Sequence, residues 1–465
     1  MKKILFIFLT NIFCNIFIQN SMAFDNWNIL TIVPDDHSRR TMGAYGDTQA
    51  ITPNLDHFAS EGVRFNNAYA AAPVCSPSRA SFWSGKYPSQ VGVNDFLMLN
   101  DKYLDRGMDT SAVLWPEVLK KNGYKTGLIG KWHLGVAEKR HPLNRGFDYF
   151  VGYEQDSKAF DPLLNVNGDI REVKGHTSNI FVKYAKDFLN KNKDNKFSLT
   201  LMFREPQRPW NSVPQKDLDA VAHIDPLVPG TQGVDIEWLK GITRNNYAAV
   251  HALDRAIGEV LKELERLGIA DKTIVIYAGD HGMLIGHHGY FGRGAVGAIA
   301  GNKVVGSENT ANLYDEAIKI PMIVRWPGEV IKNSVVEAVV SNVDIYPTIL
   351  TMAGLDLPSG QEIEGRDLIP FLKGVIEDDP KPVFAQYNME NFGIAKLRMI
   401  RVGNWKMVKR FGLSANSILV DELYDLNSDP SENNNLISHP DHQTRRLELN
   451  MDLQNWMIKI KDPAL

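Results

Sequence analysis

Short apolar runs alternate with amphipathic segments along most of the chain. The runs at 28–33 and 273–278 are typical of buried strands, and those at 125–129, 198–203 and 321–326 have the same character. Between them, Pro53 suits the first position of a helix over 53–60, and the segment 244–267 collects its apolar residues on one face before Gly268. This alternation predicts an α/β domain whose large, mainly parallel mixed sheet is sandwiched by helices.

The pattern changes at about residue 378. Short strands are predicted at 383–387, 397–402 and 405–408, and an Asn/Asp-rich turn at 427–435 precedes a helix over 442–459. We therefore expect a main α/β domain over 24–377 and a C-terminal subdomain over 378–465, built from an antiparallel sheet and a helix. The glycine-rich stretch 286–307 is predicted to be a loop that contributes to a functional site.

The first residues have the pattern of a secretory signal peptide over 1–23. Two lysines precede an apolar run at 4–18, and small residues stand at Ser21 and Ala23. A membrane anchor is the alternative, but Asn11 and Asn15 interrupt a run that is short for a bilayer span. We expect an exported protein of the bacterial periplasm without a membrane anchor. The net charge of −4 gives no indication of a nucleic-acid partner.

Cys75 is the only cysteine beyond the predicted signal peptide, which contains Cys14. A lone cysteine in an exported chain cannot close an internal disulfide, so it needs another explanation. Pro77 and Ser78 predict the start of a helix with Arg79 in its first turn. Cys75 would then lie where backbone N–H groups and a guanidinium can bind an anion. The alternative is a buried, inert thiol.

Acidic residues follow two of the predicted strands. Asp35 and Asp36 come after 28–33, and Asp280 and His281 come after 273–278. Ligands gather beyond the carboxyl ends of parallel strands, so we expect both pairs at one edge of the sheet. Such an oxygen-rich set suits a hard divalent cation, although a single Asp-Asp pair is usually a solvated turn.

The run Cys75-Ser76-Pro77-Ser78-Arg79, followed by Ser84-Gly85-Lys86-Tyr87-Pro88, resembles the signature of the type I, formylglycine-dependent sulfatases. These are arylsulfatase-like members of the alkaline phosphatase superfamily. Other segments match the family in the same order: 28–36, 52–56, 130–135, 279–282, 321–328, 343–348 and 423–426. The resemblance extends from about Asn28 to Asn435.

This resemblance implies a set of roles. A formylglycine-generating maturation enzyme would convert Cys75 to formylglycine (3-oxoalanine), whose hydrate supplies the nucleophile. The metal ligands would be Asp35, Asp36, Asp280, His281 and an oxygen of the modified Cys75, with Ca²⁺ expected before Mg²⁺. The resemblance also implies that Arg79 stabilises the nucleophile, that Lys131 contacts sulfate, and that His133 is the base that releases it.

Two positions depart from the family pattern. Gln207 occupies a place where many members carry a histidine, and glutamine can hydrogen-bond substrate but cannot act as an acid. The cation that contacts sulfate in the loop after Asp280 is expected to be Arg293, with His288 and Lys303 as alternatives. We expect Gln207, His288 and Arg293 to bind substrate. We expect His288 to donate a proton to the departing alcohol, with water as the alternative donor.

The resemblance implies hydrolysis of sulfate esters on a sulfated carbohydrate. One alternative is a phosphonate or phosphodiester hydrolase of the same superfamily. Another is a non-catalytic protein that binds sulfated glycans, which the glutamine at position 207 suggests.

Overall fold

The computed structural model describes residues 27–98, 105–230, 234–294, 296–299, 310–377, 379–391, 393–412 and 420–465. The predicted signal peptide and Lys303 lie outside these ranges. None of the helices in the described ranges combines the length and the apolar character that a bilayer span requires.

The strands are numbered in chain order. They are β1 (Asn28–Pro34), β2 (Val63–Tyr69), β3 (Lys125–Lys131), β4 (Tyr149–Tyr153), β5 (Leu163–Val166), β6 (Asp169–Glu172), β7 (Phe197–Phe203), β8 (Thr273–Ala278), β9 (Leu284–Ile285), β10 (Tyr290–Gly292), β11 (Val296–Ile299), β12 (Lys319–Arg325), β13 (Ser334–Ser341), β14 (Val383–Met389), β15 (Ala395–Val402), β16 (Trp405–Phe411) and β17 (Glu422–Asp425).

The α-helices are numbered in the same way. They are α1 (Pro53–Ser60), α2 (Cys75–Ser84), α3 (Trp115–Lys121), α4 (Thr177–Asn192), α5 (Gln215–Val221), α6 (Ile236–Arg266), α7 (Asp315–Ile318), α8 (Ile345–Met352), α9 (Ile369–Leu372) and α10 (Gln443–Lys459).

The main sheet contains ten described strands in the order β13-β2-β12-β8-β1-β7-β3-β4-β5-β6. Its centre is parallel: β1 pairs in parallel with β8 and β7, and β3 pairs in parallel with β7 and β4. Strand β12 runs antiparallel to β8 and β2, and β5 and β6 form an antiparallel edge. Every residue of β1 and β8 is buried, as expected for strands covered on both faces. The predicted mixed, mainly parallel sheet is confirmed.

Helices cover both faces of this sheet. On one face, Trp83 of α2, Trp115 of α3 and Ile349 of α8 belong to one apolar core. On the other face, Leu55 of α1 and Leu253 of α6 belong to a second core, together with residues of α4. The sheet therefore separates two apolar layers, which is the sandwich that the sequence predicts.

The C-terminal part forms a separate antiparallel sheet in the order β14-β15-β16-β17. Helix α10 packs on it, and the ring of Trp456 stacks on that of Phe384 with centroids 4.4 Å apart. The expected antiparallel sheet with its helix is confirmed. The division at residues 377 and 378 stays a prediction.

Three local expectations differ from the structure. Helix α2 begins at Cys75 rather than Pro77, since the amide of Ser78 already donates to the carbonyl of Val74 at 3.2 Å. Helix α6 begins at Ile236, before the predicted 244, because the Asp235 side chain caps it by accepting from Trp238 N at 3.1 Å. The stretch predicted as a loop contains β10 and β11, which form a small sheet with β9.

Candidate active site

The predicted site residues come together at one edge of the main sheet. Asp35 and Asp36 directly follow β1, and Asp280 and His281 follow β8. Lys131 is the last residue of β3. Because β8, β1, β7 and β3 are neighbouring parallel strands, their carboxyl ends deliver these side chains to one place.

Cys75 lies at the centre of this group. It is fully buried at the first position of α2, with its Sγ 3.5 Å from Asp35 Oδ1 and 3.4 Å from His281 Nε2. Burial alone would raise the pKa of the thiol, but the charges of Arg293 and Lys131 outweigh it and lower that pKa below its ordinary value. Cys75 thus lies among ionised groups, unlike an inert cysteine packed in an apolar core.

Two carboxylates, the thiol and an imidazole form a cluster with the composition of a cation site. The ligand atoms of Asp35, Asp36, Cys75 and His281 lie within 4.8 Å of one another, and all four residues are buried. His281 Nδ1 lies 2.8 Å from the Gly282 carbonyl oxygen, which leaves Nε2 facing the cluster, 3.3 Å from Asp36 Oδ1.

The local charge also favours a cation here. Burial alone would lower the pKa of His281, but the Asp280 carboxylate raises it to about 10. The residues present therefore fit a divalent cation.

Asp280 borders this cluster through several hydrogen bonds. Its Oδ1 accepts from the amides of Asp36 at 3.1 Å and His281 at 2.8 Å, and lies 3.8 Å from His281 Nε2. Its Oδ2 accepts from Arg79 Nε at 3.1 Å and forms an ion pair with Arg79 Nη2 at 3.0 Å. Burial raises the pKa of Asp280 to about 6. Its role as a metal ligand stays a prediction.

Arg79 and Lys131 place two cations beside Cys75. Lys131 Nζ donates to Asp35 Oδ2 at 2.7 Å, and Arg79 Nη2 lies 3.4 Å from the same oxygen. Arg79, which is fully buried, also donates from Nη1 to the Lys131 carbonyl at 2.9 Å. Burial opposes the ionisation of Asp35, but these two cations hold its pKa well below the usual range.

His133 follows β3 in the left-handed backbone conformation, with φ of 65°. Its Nε2 lies 2.9 Å from the Leu97 carbonyl oxygen, so Nε2 carries the hydrogen when the ring is neutral. Its Nδ1 is buried without a hydrogen-bond partner among the described residues. Burial and the Lys131 charge lower the pKa of His133 well below its ordinary value. This ring is therefore an uncharged imidazole with a free acceptor nitrogen.

The predicted substrate-binding residues occupy three environments. Arg293, just after β10, makes a bidentate ion pair with Asp36, from Nε to Oδ1 at 2.7 Å and from Nη2 to Oδ2 at 2.6 Å. Gln207, in the loop after β7, has a buried Oε1 without a described hydrogen-bond partner.

His288 belongs to a neighbouring cluster. Its ring stacks on Tyr314 with centroids 3.7 Å apart, and its Nε2 lies 3.6 Å from Glu316 Oε2. Within the described ranges, no hydrogen bond or ion pair joins His288 or Gln207 to Cys75. Their roles at the substrate stay predictions.

Two positioning residues were not found from the sequence. Ser78 Oγ donates to the Asp280 carbonyl oxygen, and Asn342 Nδ2 donates to Ser78 Oγ at 2.9 Å. These contacts fix α2 against the loop after β8. The spacing of Ser78, three residues after Cys75 on one helix face, was the available signal. Asn342 follows β13, and no local sequence pattern indicated its positioning role.

Comparisons with known proteins agree with this geometry. The family model "Sulfatase" matches residues 27–355, and the model "N-sulphoglucosamine sulphohydrolase, C-terminal" matches 309–459. An ulvan-active sulfatase of Formosa agariphila is 29% identical, covering 94% of this chain and 82% of its own length. An N-acetylglucosamine-6-O-sulfatase of Bacteroides thetaiotaomicron is 26% identical, covering 94% and 87%. A solved complex with its substrate D-glucosamine-2-N,6-O-disulfate has a TM-score of 0.81 and 25% identity, covering 95% of this chain and 99% of that one.

Proposed function

This chain belongs to the sulfatase family and is a sulfuric ester hydrolase, and we propose that it acts on a sulfated carbohydrate through a formylglycine at position 75 and a divalent cation. The observation that carries the proposal is the position of Cys75. Its Sγ contacts Asp35 and His281 at the carboxyl ends of β1 and β8, beside the cations of Arg79 and Lys131. The proposed substrate class is supported by the ulvan-active and N-acetylglucosamine-6-O-sulfatase relatives and by the solved complex with a glucosamine disulfate.

We propose that Asp35, Asp36, Asp280 and His281 hold the cation, which is Ca²⁺ by preference and Mg²⁺ as the alternative. Carboxylate oxygens are the ligands that both ions prefer, and Ca²⁺ tolerates the more irregular geometry. When bound, the cation neutralises charge and polarises an oxygen at the reacting sulfuryl group. Arg79 holds Asp280, and Lys131 holds Asp35, so both carboxylates keep their orientation.

The chain's own residues supply the rest of the chemistry. Conversion of Cys75 to formylglycine by a maturation enzyme provides the nucleophilic oxygen. Arg79 and Lys131 stabilise negative charge next to that position, because fixed cations in a buried site act without solvent reorganisation. Lys131, Arg293 and Gln207 are proposed to bind the sulfate group.

His133 is proposed to complete the reaction. Its Nδ1 has a free lone pair and its ring is uncharged near neutral pH, so it can accept the proton whose removal releases sulfate from residue 75. His288 is proposed to protonate the leaving alcohol from its position beside Glu316.

The location of the enzyme is proposed from its N-terminal segment. The predicted signal peptide implies export, so we propose a periplasmic or secreted enzyme. Its partners are the sulfated glycan and the formylglycine-generating enzyme.

The test is sulfate release by protein produced together with a formylglycine-generating enzyme. We expect turnover of an aryl sulfate and of sulfated oligosaccharides, and slower turnover of an aryl phosphodiester. The variant Cys75→Ala should fold and be inactive, and peptide mass spectrometry should show formylglycine in the active protein. Active protein with an unmodified thiol in every molecule would refute the nucleophile, and a faster phosphodiester reaction would favour the alternative hydrolase.

A further inference from the structure

Beside the candidate active site, Arg208 is a cation without an ion-pair partner in the described ranges. Its guanidinium carbon lies 5.0 Å from the centroid of the Phe291 ring, an arrangement in which the aromatic face attracts the cation. Among the described residues, no carboxylate or carbonyl accepts a hydrogen bond from its side chain, which solvent can reach. A guanidinium resting on an aromatic face still offers its edge N–H groups to a ligand.

The backbone that carries Arg208 is fixed by contacts within its own loop. Arg204 donates from Nη2 to the carbonyl of Arg208 at 2.8 Å and from Nη1 to that of Gln207 at 3.3 Å. Trp210 Nε1 donates to the carbonyl of Pro206 at 2.5 Å. A surface arginine on a loose loop samples many positions, whereas this one extends from a braced segment and is preorganised for binding.

The Phe291 ring that Arg208 contacts lies close in sequence and in space to residues of the candidate active site. Phe291 packs edge-to-face against Trp210, with centroids 5.4 Å apart, and belongs to β10, which directly precedes Arg293. Arg293 is paired with Asp36 through two hydrogen bonds. The surrounding protein displaces water from the guanidinium and so lowers the pKa of Arg208, and the nearby charge of Arg293 lowers it further. The Asp36 carboxylate partly opposes this shift.

This environment favours an anion. Two guanidinium groups within electrostatic reach of each other repel, and only one of them has a carboxylate partner in the described structure. An oxyanion bound at Arg208 would supply the missing partner, and the planar guanidinium matches the oxygens of sulfate and carboxylate groups. The neighbouring Gln207 offers a buried Oε1 that can accept from a sugar hydroxyl.

We propose that Arg208 binds a second anionic group of the substrate, a sulfate or carboxylate on the sugar that carries the reacting sulfate or on its neighbour. This inference rests on the proposed function and narrows its substrate class to glycans with two anionic groups close together. Arg208 is a specificity-determining residue in this view, and it takes no part in breaking the sulfate ester.

The experiment measures ligand binding in a Cys75→Ala background, which cannot turn over substrate. Three ligands are compared by calorimetry: a monosulfated hexosamine, its disulfated derivative, and the monosulfated sugar linked to a uronate. Arg208→Gln should weaken the doubly anionic ligand by about 10- to 100-fold, the effect of one hydrogen bond to a charged group, and the monosulfated ligand by less than about twofold. Arg208→Lys should give an intermediate loss because a point charge replaces the fork.

Controls separate a local effect from a general one. Arg445→Gln removes a partly exposed arginine of α10, which pairs with Glu448, and should change no affinity. The loss in Arg208→Gln should shrink at high salt as charges are screened. If Arg208→Gln loses affinity for the disulfated ligand, Arg208 binds a second sulfate; if it loses affinity for the uronate-linked ligand, Arg208 binds a carboxylate.

The inference is overturned if Arg208→Gln weakens all three ligands equally, or none of them. It is also overturned if the parent chain does not prefer either doubly anionic ligand. Aryl sulfate turnover by the Cys75-containing protein is measured in parallel. Absence of that turnover with the Arg208 binding effect intact would refute the proposed hydrolase mechanism and leave the binding inference standing.

Discussion

Replacing His133 tests the base proposed to release sulfate from residue 75. Asparagine is the best replacement, because His133 has a φ of 65° and asparagine tolerates the left-handed conformation better than alanine does. The asparagine amide reaches only as far as the position of Nδ1, where it cannot act as a base, so the hydrogen bond of Nε2 to the Leu97 carbonyl is lost with the ring. The variant therefore removes the basic atom while keeping the left-handed backbone.

The expected loss in kcat is about 10²- to 10⁴-fold, the usual contribution of a positioned base. This corresponds to about 3 to 5 kcal/mol of barrier height. The pH profile gives a second prediction. A base must be unprotonated, and burial with the Lys131 charge lowers the pKa of His133 well below 6.5. Activity of the parent enzyme should therefore persist below pH 6.5 and fall only as the pH passes through the lowered pKa.

Rapid-mixing kinetics with an aryl sulfate separate the two chemical steps. His133→Asn should release about one equivalent of alcohol per site at the parent rate and then slow, with sulfate retained on the peptide that contains residue 75. His57→Asn, an exposed histidine of α1, is the matched control and should behave as the parent does. Equal slowing of the first and later turnovers would show that His133 acts before sulfate release and would refute its role as this base.

Three further predictions concern the divalent cation, the proton donor His288, and the buried ion pairs of Lys406 in the C-terminal sheet. Dialysis against a chelator should abolish activity and added Ca²⁺ should restore it; full activity in protein shown to be metal-free would contradict the cation's role. His288→Ala should lose up to about 10²- to 10⁴-fold on a sugar sulfate and much less on an activated aryl sulfate, whose alcohol leaves without a proton, and equal losses would exclude His288 as the acid. Lys406→Met should lower the free energy of urea unfolding by about 3 to 5 kcal/mol, because it removes the ion-pair partner of the buried Glu432, 2.6 Å from Lys406 Nζ, and one of the partners of Asp315, 2.8 Å away. Lys409→Met loses a hydrogen bond to Asn450 and a contact of its ammonium with the Phe411 ring, so it should cost about 1 to 2 kcal/mol, and equal costs in the two variants would contradict the reasoning.

The central sheet could be predicted from the sequence because its strands are buried on both faces. A short, uninterrupted apolar run such as 273–278 has one stable environment, and β8 occupies that range. The edge hairpin of β5 and β6 was not predicted, since β6 is fully exposed and carries no periodic apolar signal. The glycines after Gly286 predicted a loop, so β10 was missed. Its Phe291 packs against Trp210 and Trp238, which are distant in sequence, and a local pattern does not show such contacts.

The part of the site that lies directly after the strands could be predicted from the sequence. Asp35, Asp36, Asp280 and His281 converge because β1 and β8 are parallel neighbours. The apolar pattern predicted the parallel sheet and the common edge, and the structure adds that the two strands are adjacent. The ion pair between Arg293 and Asp36 joins residues far apart in the chain, and only the folded hairpin of β9 and β10 brings them together. Local patterns cannot supply such a pairing, because it depends on packing between distant segments.

The charges at the carboxyl ends of the parallel strands explain why Arg208 can be assigned to substrate selectivity and the other three cations to catalysis. Arg79, Lys131 and Arg293 each pair with a carboxylate, so Asp35, Asp36 and Asp280 are compensated within the described structure. The proposed divalent cation would add two positive charges, and a single sulfate ester would return only one negative charge. Arg208 increases this excess and has no carboxylate partner of its own among the described residues. A substrate with a second anionic group would reduce the excess at the point where Arg208 offers its N–H groups, so the electrostatics that bind the reacting sulfate also favour a doubly charged glycan.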